Sequence, residues 1–285
     1  MHYMLLSLLI LVLAIVPFFR IYEKRKPKAR EVTLIAMYTA IVCVAQIFFH
    51  VTVPVQIGTA LVIISGISMG PEVGFLIGAM ARFVMNFYLG QGPWTPWQMF
   101  TYGLLGFLAG LAFNKAKAEN KFETKEKQAM GIEIPKDRDF MVIIGPVLMI
   151  IFMEIVAYVS YILIPGDDQT FWGWRVYLAG FLGLILGIII QHKRLPIDSV
   201  TLTVFTFFVT IIIYGGIMNV AAMMTAGAIP GAEISLNYLR TLYISGLPYD
   251  AYHALTASIA IFIIGKPMIS KLERIKIKYG IYNRR

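Results

Sequence analysis

The sequence is poor in cysteine and in charge. Cys43 is the single cysteine among 285 residues, so no disulfide bond can form within the chain. Charged side chains make up only 14% of the residues, well below the ~25% that is usual for soluble domains. The sequence also lacks the His-Glu-x-x-His motif of zinc proteases and the phosphate-binding glycine loop of ATPases. We therefore expect no enzyme, no catalytic residues, no metal site and no covalently bound cofactor.

Long apolar segments make up most of the sequence. Hydrophobic residues make up 58% of the chain and the mean hydropathy is +0.73, which indicates an integral membrane protein. Because unpaired backbone groups are costly in lipid, such segments must be helices. We predict an all-α, polytopic transmembrane helix bundle of about nine spans, of which the third is short enough to be re-entrant or tilted. The spans are predicted at Tyr3–Phe19, Val32–Phe49, Ile57–Met69, Val73–Leu89, Met99–Phe113, Phe140–Ile164, Val176–Ile190, Val200–Ala226 and Ala251–Ile264.

Lysine and arginine are distributed unevenly over these spans. All 25 except Arg82, Arg175 and Arg240 lie in four segments, 20–31, 115–138, 193–194 and 266–285. All four segments fall on one side of a nine-span topology. By the positive-inside rule that side is cytoplasmic, so the N-terminus is predicted outside and the C-terminus inside. The net charge of +9 then reflects membrane topology, and we expect no nucleic-acid binding.

Two segments outside the main spans have their own character. The first span lacks the basic start and the small-residue cleavage site of a secretory signal peptide, so residues 1–31 are predicted to be an uncleaved signal-anchor helix with a basic cytoplasmic segment. Residues 115–139 are rich in Lys and Glu and have no apolar face. We predict that they form a solvated cytoplasmic loop.

Arg82 is a charge within the apolar fourth span. A membrane-embedded arginine is costly and is a functional-site hypothesis by default. Gly74, Gly78, Arg82 and Asn86 follow one another at intervals of four and lie along one helix face. Two interpretations remain open: Arg82 lines a polar pocket, or it forms an ion pair with Glu154, the other charge deep in a span.

The segment that follows the fourth span favours the pocket. In Gly90-Gln-Gly-Pro-Trp-Thr-Pro-Trp-Gln98, two prolines restrict the backbone, and the indole and amide side chains suit solute recognition. Trp94 and Trp97 are equally consistent with interfacial anchors. Other polar or aromatic residues are expected at the same outer side. Asn219 is either a ligand contact or an interhelical hydrogen bond, and His253 is either a proton-sensitive contact or a histidine at the start of a helix. The candidate substrate-binding residues are Arg82, Asn86, Tyr88, Gln91, Trp94, Trp97, Gln98, Asn219, Tyr249 and His253.

Small residues recur four positions apart in several spans, a spacing that lets helices approach closely in lipid. For the glycine pairs we expect packing within the bundle. The pairs are Ala36/Ala40, Gly66/Gly70, Gly74/Gly78, Gly106/Gly110 and Gly183/Gly187.

Two parts of the chain, residues 32–113 and 200–272, resemble the substrate-specific S components of energy-coupling factor (ECF) vitamin transporters. The first part carries the resemblance in Ala36-Met-Tyr-Thr-Ala40, Met69-Gly-Pro-Glu72, the segment from Gly90 to Met99, and Gly103-Leu-Leu-Gly106. The second carries it in Tyr249-Asp-Ala-Tyr-His253 and Lys266-Pro-Met-Ile-Ser-Lys-Leu-Glu-Arg274.

The resemblance implies a six-helix protein of the bacterial cytoplasmic membrane that captures a vitamin at its outer face. Its implied partners are the transmembrane T subunit and two cytoplasmic ATPase subunits, with Ala36 and Ala40 as the face that couples to the T subunit. Residues 32–114 and 192–285 would be the two parts of the six-helix core. The first helix would then be additional, and residues 140–191 would be an inserted helix pair.

The substrate and two alternative functions remain open. An aromatic, amide-lined mouth suits a large ring system with hydrogen-bonding edges, so we expect a cobalamin-like corrinoid first and riboflavin second. A secondary solute transporter is the main alternative, although Arg82 and Glu154 are fewer embedded charges than such a protein usually carries. A lipid-modifying membrane enzyme is the remaining alternative.

Overall fold

The structure, a computed structural model, is a bundle of helices. The structure describes residues 2–52, 55–113, 141–163, 173–190, 194–226 and 234–281, so the predicted loop 115–139 lies outside the described residues. Within these ranges each of the nine predicted spans falls in a helix, which confirms the all-α fold class. The helices are α1 His2–Lys24, α2 Ala29–Thr52, α3 Ile57–Met69, α4 Pro71–Leu89, α5 Thr95–Ala112, α6 Met141–Leu163, α7 Trp174–Ile190, α8 Ser199–Val209, α9 Gly216–Ala226 and α10 Leu236–Lys278.

Among the described residues, five helical segments are long and apolar enough to cross a membrane. They lie in α2, α4, α6, the continuous α8–α9 segment and α10. A π-helix, Thr210–Gly215, joins α8 to α9 without interrupting the segment. Such π-turns within helices are frequent at functional sites.

The last helix is much longer than the span predicted at Ala251–Ile264. α10 has 43 residues and continues through Pro248 and Pro267, which corresponds to roughly 65 Å of helix. Prolines are tolerated in membrane helices because neighbouring groups can satisfy the freed carbonyls. The segment from Tyr249 to His253 consequently lies inside the helix, and the alternative reading of His253 as a helix-start residue is wrong.

The short third helix lies in the centre of the bundle. Every residue of α3 from Gly58 to Met69 is buried, and its 13 residues cover only roughly 20 Å. Glycines bring it against α4 and α5: a β-carbon on Gly74 would lie 2.6 Å from Cα of Gly66 and 2.7 Å from the carbonyl oxygen of Gly106. The predicted small-residue packing therefore occurs between backbones of these three helices.

The first helix packs on this central group. The Phe18 ring stacks on Phe75 of α4 with 3.8 Å between centroids, and it meets Phe107 of α5 edge-on at 5.1 Å. α1 is thus in contact with the same helices that carry Arg82 and the Trp residues.

Basic segments that are distant in sequence meet at one end of the bundle. Arg25 forms an ion pair with Glu72 at 2.5 Å. Lys276 donates to the carbonyl oxygen of Ser68 and to the Glu273 carboxylate, and Arg30 donates to the carbonyl oxygen of Tyr279 at 3.3 Å. The described parts of the basic segments 20–31 and 266–285 therefore share one end, as the predicted alternation of spans requires. The α4–α5 connection lies at the other end.

Candidate functional site

Arg82 lies inside the bundle and bonds to a tyrosine. The side chain is only 8% exposed. Its Nη2 donates to the Tyr102 hydroxyl at 3.2 Å, and the guanidinium carbon lies 4.3 Å from the centroid of the Tyr102 ring. No ion pair joins Arg82 to Glu154 in the part of the chain that the structure describes, so that interpretation is wrong. The carboxylate of Glu154 instead lies beside Gly180 of α7.

A chain of polar groups extends from Tyr102 to α10. The Thr59 hydroxyl donates to Tyr102 Oη at 3.2 Å and lies 2.8 Å from Nε2 of His253. The tautomer of His253 decides which of the two groups donates in the second bond, and therefore whether Nδ1 is an acceptor or a donor. Arg82, Tyr102, Thr59 and His253 thus link four helices, α4, α5, α3 and α10.

Aromatic rings enclose these polar groups. Tyr214, in the π-helix, packs edge-on against Tyr102 with 5.6 Å between centroids and against His253 with 4.4 Å. Tyr249 lies one turn before His253, and its ring packs edge-on against the imidazole with 6.4 Å between centroids. We call Thr59, Arg82, Tyr102, Tyr214 and His253 the inner cluster.

The amide side chains near Arg82 form a separate network at the α4–α5 turn. Asn86 Nδ2 donates to Thr95 Oγ1 at 3.0 Å and to Gln98 Oε1 at 2.8 Å. Gln91 donates to the carbonyl oxygen of Phe83 and accepts from Thr95. These bonds close the turn, and they explain why α5 already begins at Thr95, so that Trp97 and Gln98 are helical instead of belonging to the predicted loop.

The two tryptophans of this turn differ in their surroundings. Trp94 is 41% exposed and packs over Gly92. Trp97 is half-buried, and its Nε1 is fully enclosed. Tyr88 is 63% exposed on the outer face of α4. Of the aromatic residues predicted here, Trp97 is the one whose polar atom is buried.

Three buried nitrogen atoms of predicted site residues lack a hydrogen-bond partner among the described residues. They are Nε of Arg82, Nε1 of Trp97 and Nδ1 of His253. Buried polar groups are nearly always paired, and an unpaired one indicates a bound water, ion or ligand that completes it. The first two are donors, and the His253 nitrogen is an acceptor or a donor according to the tautomer of the imidazole.

Asn219 belongs to another group of polar residues. Its Nδ2 donates to Asp250 Oδ2 at 2.9 Å, and the Tyr177 hydroxyl donates to the same oxygen at 2.6 Å. Tyr243 packs on Tyr177 and donates to the carbonyl oxygen of Gly216 at 3.0 Å. This network, which we call the Asp250 network, ties α7 to α9 and α10.

Sequence patterns did not indicate several members of the two groups. Thr59 and Tyr102 lie in apolar helices without a distinguishing motif. Tyr214 carries one weak signal, because it precedes Gly215-Gly216 in an apolar span, a composition that accompanies the π-helix. Asp250 was visible as a polar residue three positions before His253, but its buried contact with Tyr177 depends on the fold.

A hydrolase-like motif in α3 has no catalytic context. Gly66-Ile-Ser-Met-Gly70 matches Gly-x-Ser-x-Gly, in which the serine occupies a sharp turn between strand and helix. Ser68 instead lies in the last turn of α3. His253 bonds to Thr59, roughly 13 Å away along that helix. The motif therefore reflects close helix packing.

Comparison with known proteins assigns the family. Residues 26–168 match the family model described as ECF-type riboflavin transporter, S component. The match covers half of the chain and includes α2 to α6, and therefore the helices that carry Thr59, Arg82, Trp97 and Tyr102. Searches of curated proteins and of solved structures gave no match. Together with the multi-span helical fold, the match shows that this chain belongs to the S components of ECF-type transporters, the membrane-embedded subunits that bind the substrate.

Proposed function

We propose that the protein binds riboflavin, or a flavin closely similar to it, at the inner cluster together with Trp97. The observation that carries this proposal is the match to a riboflavin S-component family over α3, α4 and α5, the three helices that carry Thr59, Arg82, Trp97 and Tyr102. The second support is chemical. The unpaired Arg82 and Trp97 nitrogens are two donors, and the unpaired His253 nitrogen accepts a hydrogen bond in one of its two neutral tautomers.

A flavin ring has the complementary set of groups. One edge of its planar ring system is an imide with two carbonyl acceptors and one N–H donor. The Tyr214 ring already packs edge-on against Tyr102 and against His253, and offset or edge-on packing of a further ring adds about 0.5–1.5 kcal/mol beyond the burial of its area. A corrinoid, our first expectation from the sequence, is much larger and offers no such edge, so cobalamin serves here as the competing ligand in the test.

Coupling to a T subunit is proposed at α2. Ala36 and Ala40 are exposed and lie on a stripe of α2 that also presents Val32, Val44 and Phe48 outwards at intervals of four. Small side chains in the middle of such a stripe allow close approach of another helix in lipid. Uptake would then require the T subunit and its ATPases, because the chain has no ATP-binding motif of its own.

The binding proposal is tested by titrating riboflavin into the purified protein and measuring quenching of flavin fluorescence. We expect saturable binding, no competition by cobalamin, and about tenfold weaker binding in Trp97→Phe, which removes one donor to the ligand. Trp94→Phe is the matched control, since the Trp94 side chain is largely exposed, and its affinity should stay within about twofold of the original. Tight binding of cobalamin without binding of riboflavin would contradict the proposal.

The same protein is then assayed for uptake in cells that carry or lack the T and ATPase subunits. Ala40→Trp should bind riboflavin normally and abolish uptake, because a bulky side chain prevents helix approach. Ile155→Trp, on the exposed face of α6, should leave uptake intact. Ion-driven uptake without the ATPase subunits would favour a secondary transporter instead.

A further inference from the structure

A cavity of about 490 Å³ lies between α7, the π-helix with the start of α9, and α10. Its volume falls within the ~300–1,000 Å³ typical of ligand sites. The π-helix separates it from the inner cluster: Ile212 and Ile213 face the cavity, whereas the Tyr214 ring contacts Tyr102 and His253. The cavity is therefore distinct from the proposed flavin site.

The lining of the cavity is mainly apolar, and the hydroxyls of its two tyrosines, Tyr177 and Tyr243, are bonded to Asp250 and to the carbonyl oxygen of Gly216. Leu178, Phe181, Ile212, Ile213 and Ile217 form its interior. Arg240 and Trp174 lie near the starts of α10 and α7, and Phe181 is roughly 10 Å further along α7 than Trp174. A tryptophan beside a cation at the start of a membrane helix is typical of the membrane–water interface. The cavity thus leads from this interface into the apolar interior.

Arg240 provides the single charge of this lining. Its side chain is half-buried, and its Nη1 donates to Asn237 Oδ1 at 3.2 Å. Within the described ranges it forms no ion pair. A guanidinium has five N–H donors, so most of them remain available to an anion at the mouth of the cavity.

We propose that this cavity binds an anionic phospholipid, with the headgroup phosphate on Arg240 and part of one acyl chain along Leu178, Phe181 and Ile212. An anionic head beside a long apolar tail matches both the charge at the mouth and the apolar interior. A free phosphate or sugar phosphate would leave the apolar interior unoccupied, and an uncharged lipid would leave the arginine without its anion.

The test compares phosphatidylglycerol with phosphatidylcholine of identical acyl chains. Each lipid is added to the purified protein in neutral detergent, and bound lipid is counted by native mass spectrometry. The protein should retain phosphatidylglycerol preferentially. Arg240→Gln should lower that retention about fivefold, the effect of one arginine near an anionic lipid surface. Arg274→Gln removes the same charge at an exposed position near the other end of α10 and should change nothing.

A second variant tests the apolar interior. A β-carbon on Gly216 would meet Tyr177 Cδ1 at 3.7 Å, an ordinary contact, so Gly216→Leu should fold and fill the cavity. It should lose retention of both lipids while binding riboflavin normally.

Three results would overturn the proposal. One is equal retention of the two lipids by the unaltered protein. Another is displacement of phosphatidylglycerol by an equal concentration of glycerol phosphate, which lacks the acyl chains. The third is loss of riboflavin binding in Gly216→Leu with lipid retention unchanged, which would assign the cavity to the transported substrate.

Discussion

The α3–α4–α5 interface and the seam between the α6–α7 hairpin and α8–α10 are packed by different means. In the first, Gly66, Gly74 and Gly106 let three backbones touch. In the seam, cavities of about 490 and 230 Å³ remain, and the Asp250 network bridges the helices. Two glycines of α7 face the hairpin, since Gly183 lies against Ile150 and Gly187 against Pro146, whereas Gly180 lies against the Ile212 side chain across the seam.

The difference shows what close packing requires in lipid. Hydrophobic burial does not drive helices together there, so tight contact depends on small residues on both surfaces or on polar bonds between them. The helices with glycine on both sides hold Arg82 and Tyr102 in a fixed arrangement. At the seam, Gly180 and Gly216 meet the side chains of Ile212 and Tyr177 and not another backbone, so polar bonds hold the seam together and space is left between the helices.

The largest expected effect is on folding. In Gly106→Ala, the new β-carbon would lie 2.6 Å from the carbonyl carbon of Gly74, and overpacking of this kind costs about 1–3 kcal/mol or more. We expect little folded protein by size-exclusion chromatography in detergent after mild heating. Gly216→Ala is the seam control, because its nearest contact is 3.7 Å, and it should be as stable as the original protein or more so. Equal losses in both variants would show that the two interfaces are packed alike.

The next effect is on ligand binding. Arg82→Gln removes the charged group of the inner cluster, and loss of a hydrogen bond to a charged group costs about 1.5–3 kcal/mol, or roughly 10- to 150-fold in affinity. Arg240→Gln removes a charge at the seam and should alter riboflavin affinity by less than about twofold. Flavin fluorescence titration measures both. A larger loss in Arg240→Gln than in Arg82→Gln would place the substrate at the seam.

The smallest expected effect comes from removing a single tyrosine hydroxyl, either at Tyr102 or at Tyr177. Tyr102→Phe removes the oxygen that accepts from Arg82 and Thr59, so riboflavin should bind several-fold more weakly, in line with ~0.5–1.5 kcal/mol for one hydrogen bond. Tyr177→Phe removes a donor to Asp250. It should lower the free energy of unfolding by about 1 kcal/mol without changing the affinity. Titration and thermal unfolding of both variants decide this, and unchanged affinity in Tyr102→Phe would argue against the inner cluster as the site.

Part of the candidate site could be predicted from the sequence. Arg82 stands out because a charge within an apolar span is costly wherever its partners lie, and Trp97 and His253 were predicted on residue type and location. Their partners could not be predicted, since Thr59, Tyr102 and Tyr214 come from three other segments and have no motif. The roles of Asn86, Gln91 and Gln98 also required the structure, because the same amides could equally have faced a solute.

The sequence by itself determined where the helices lie, that they form a membrane bundle, and which charge is embedded in it. These properties follow from hydropathy and from the need of each backbone to satisfy its own hydrogen bonds in lipid, and both are local. The tertiary structure decided that Arg82 meets Tyr102 and not Glu154, that Asn219 joins Asp250, and that α10 continues through two prolines. Those outcomes depend on which helix faces pack together, and the backbone contacts of Gly66, Gly74 and Gly106 fix that arrangement only when all three helices are in place.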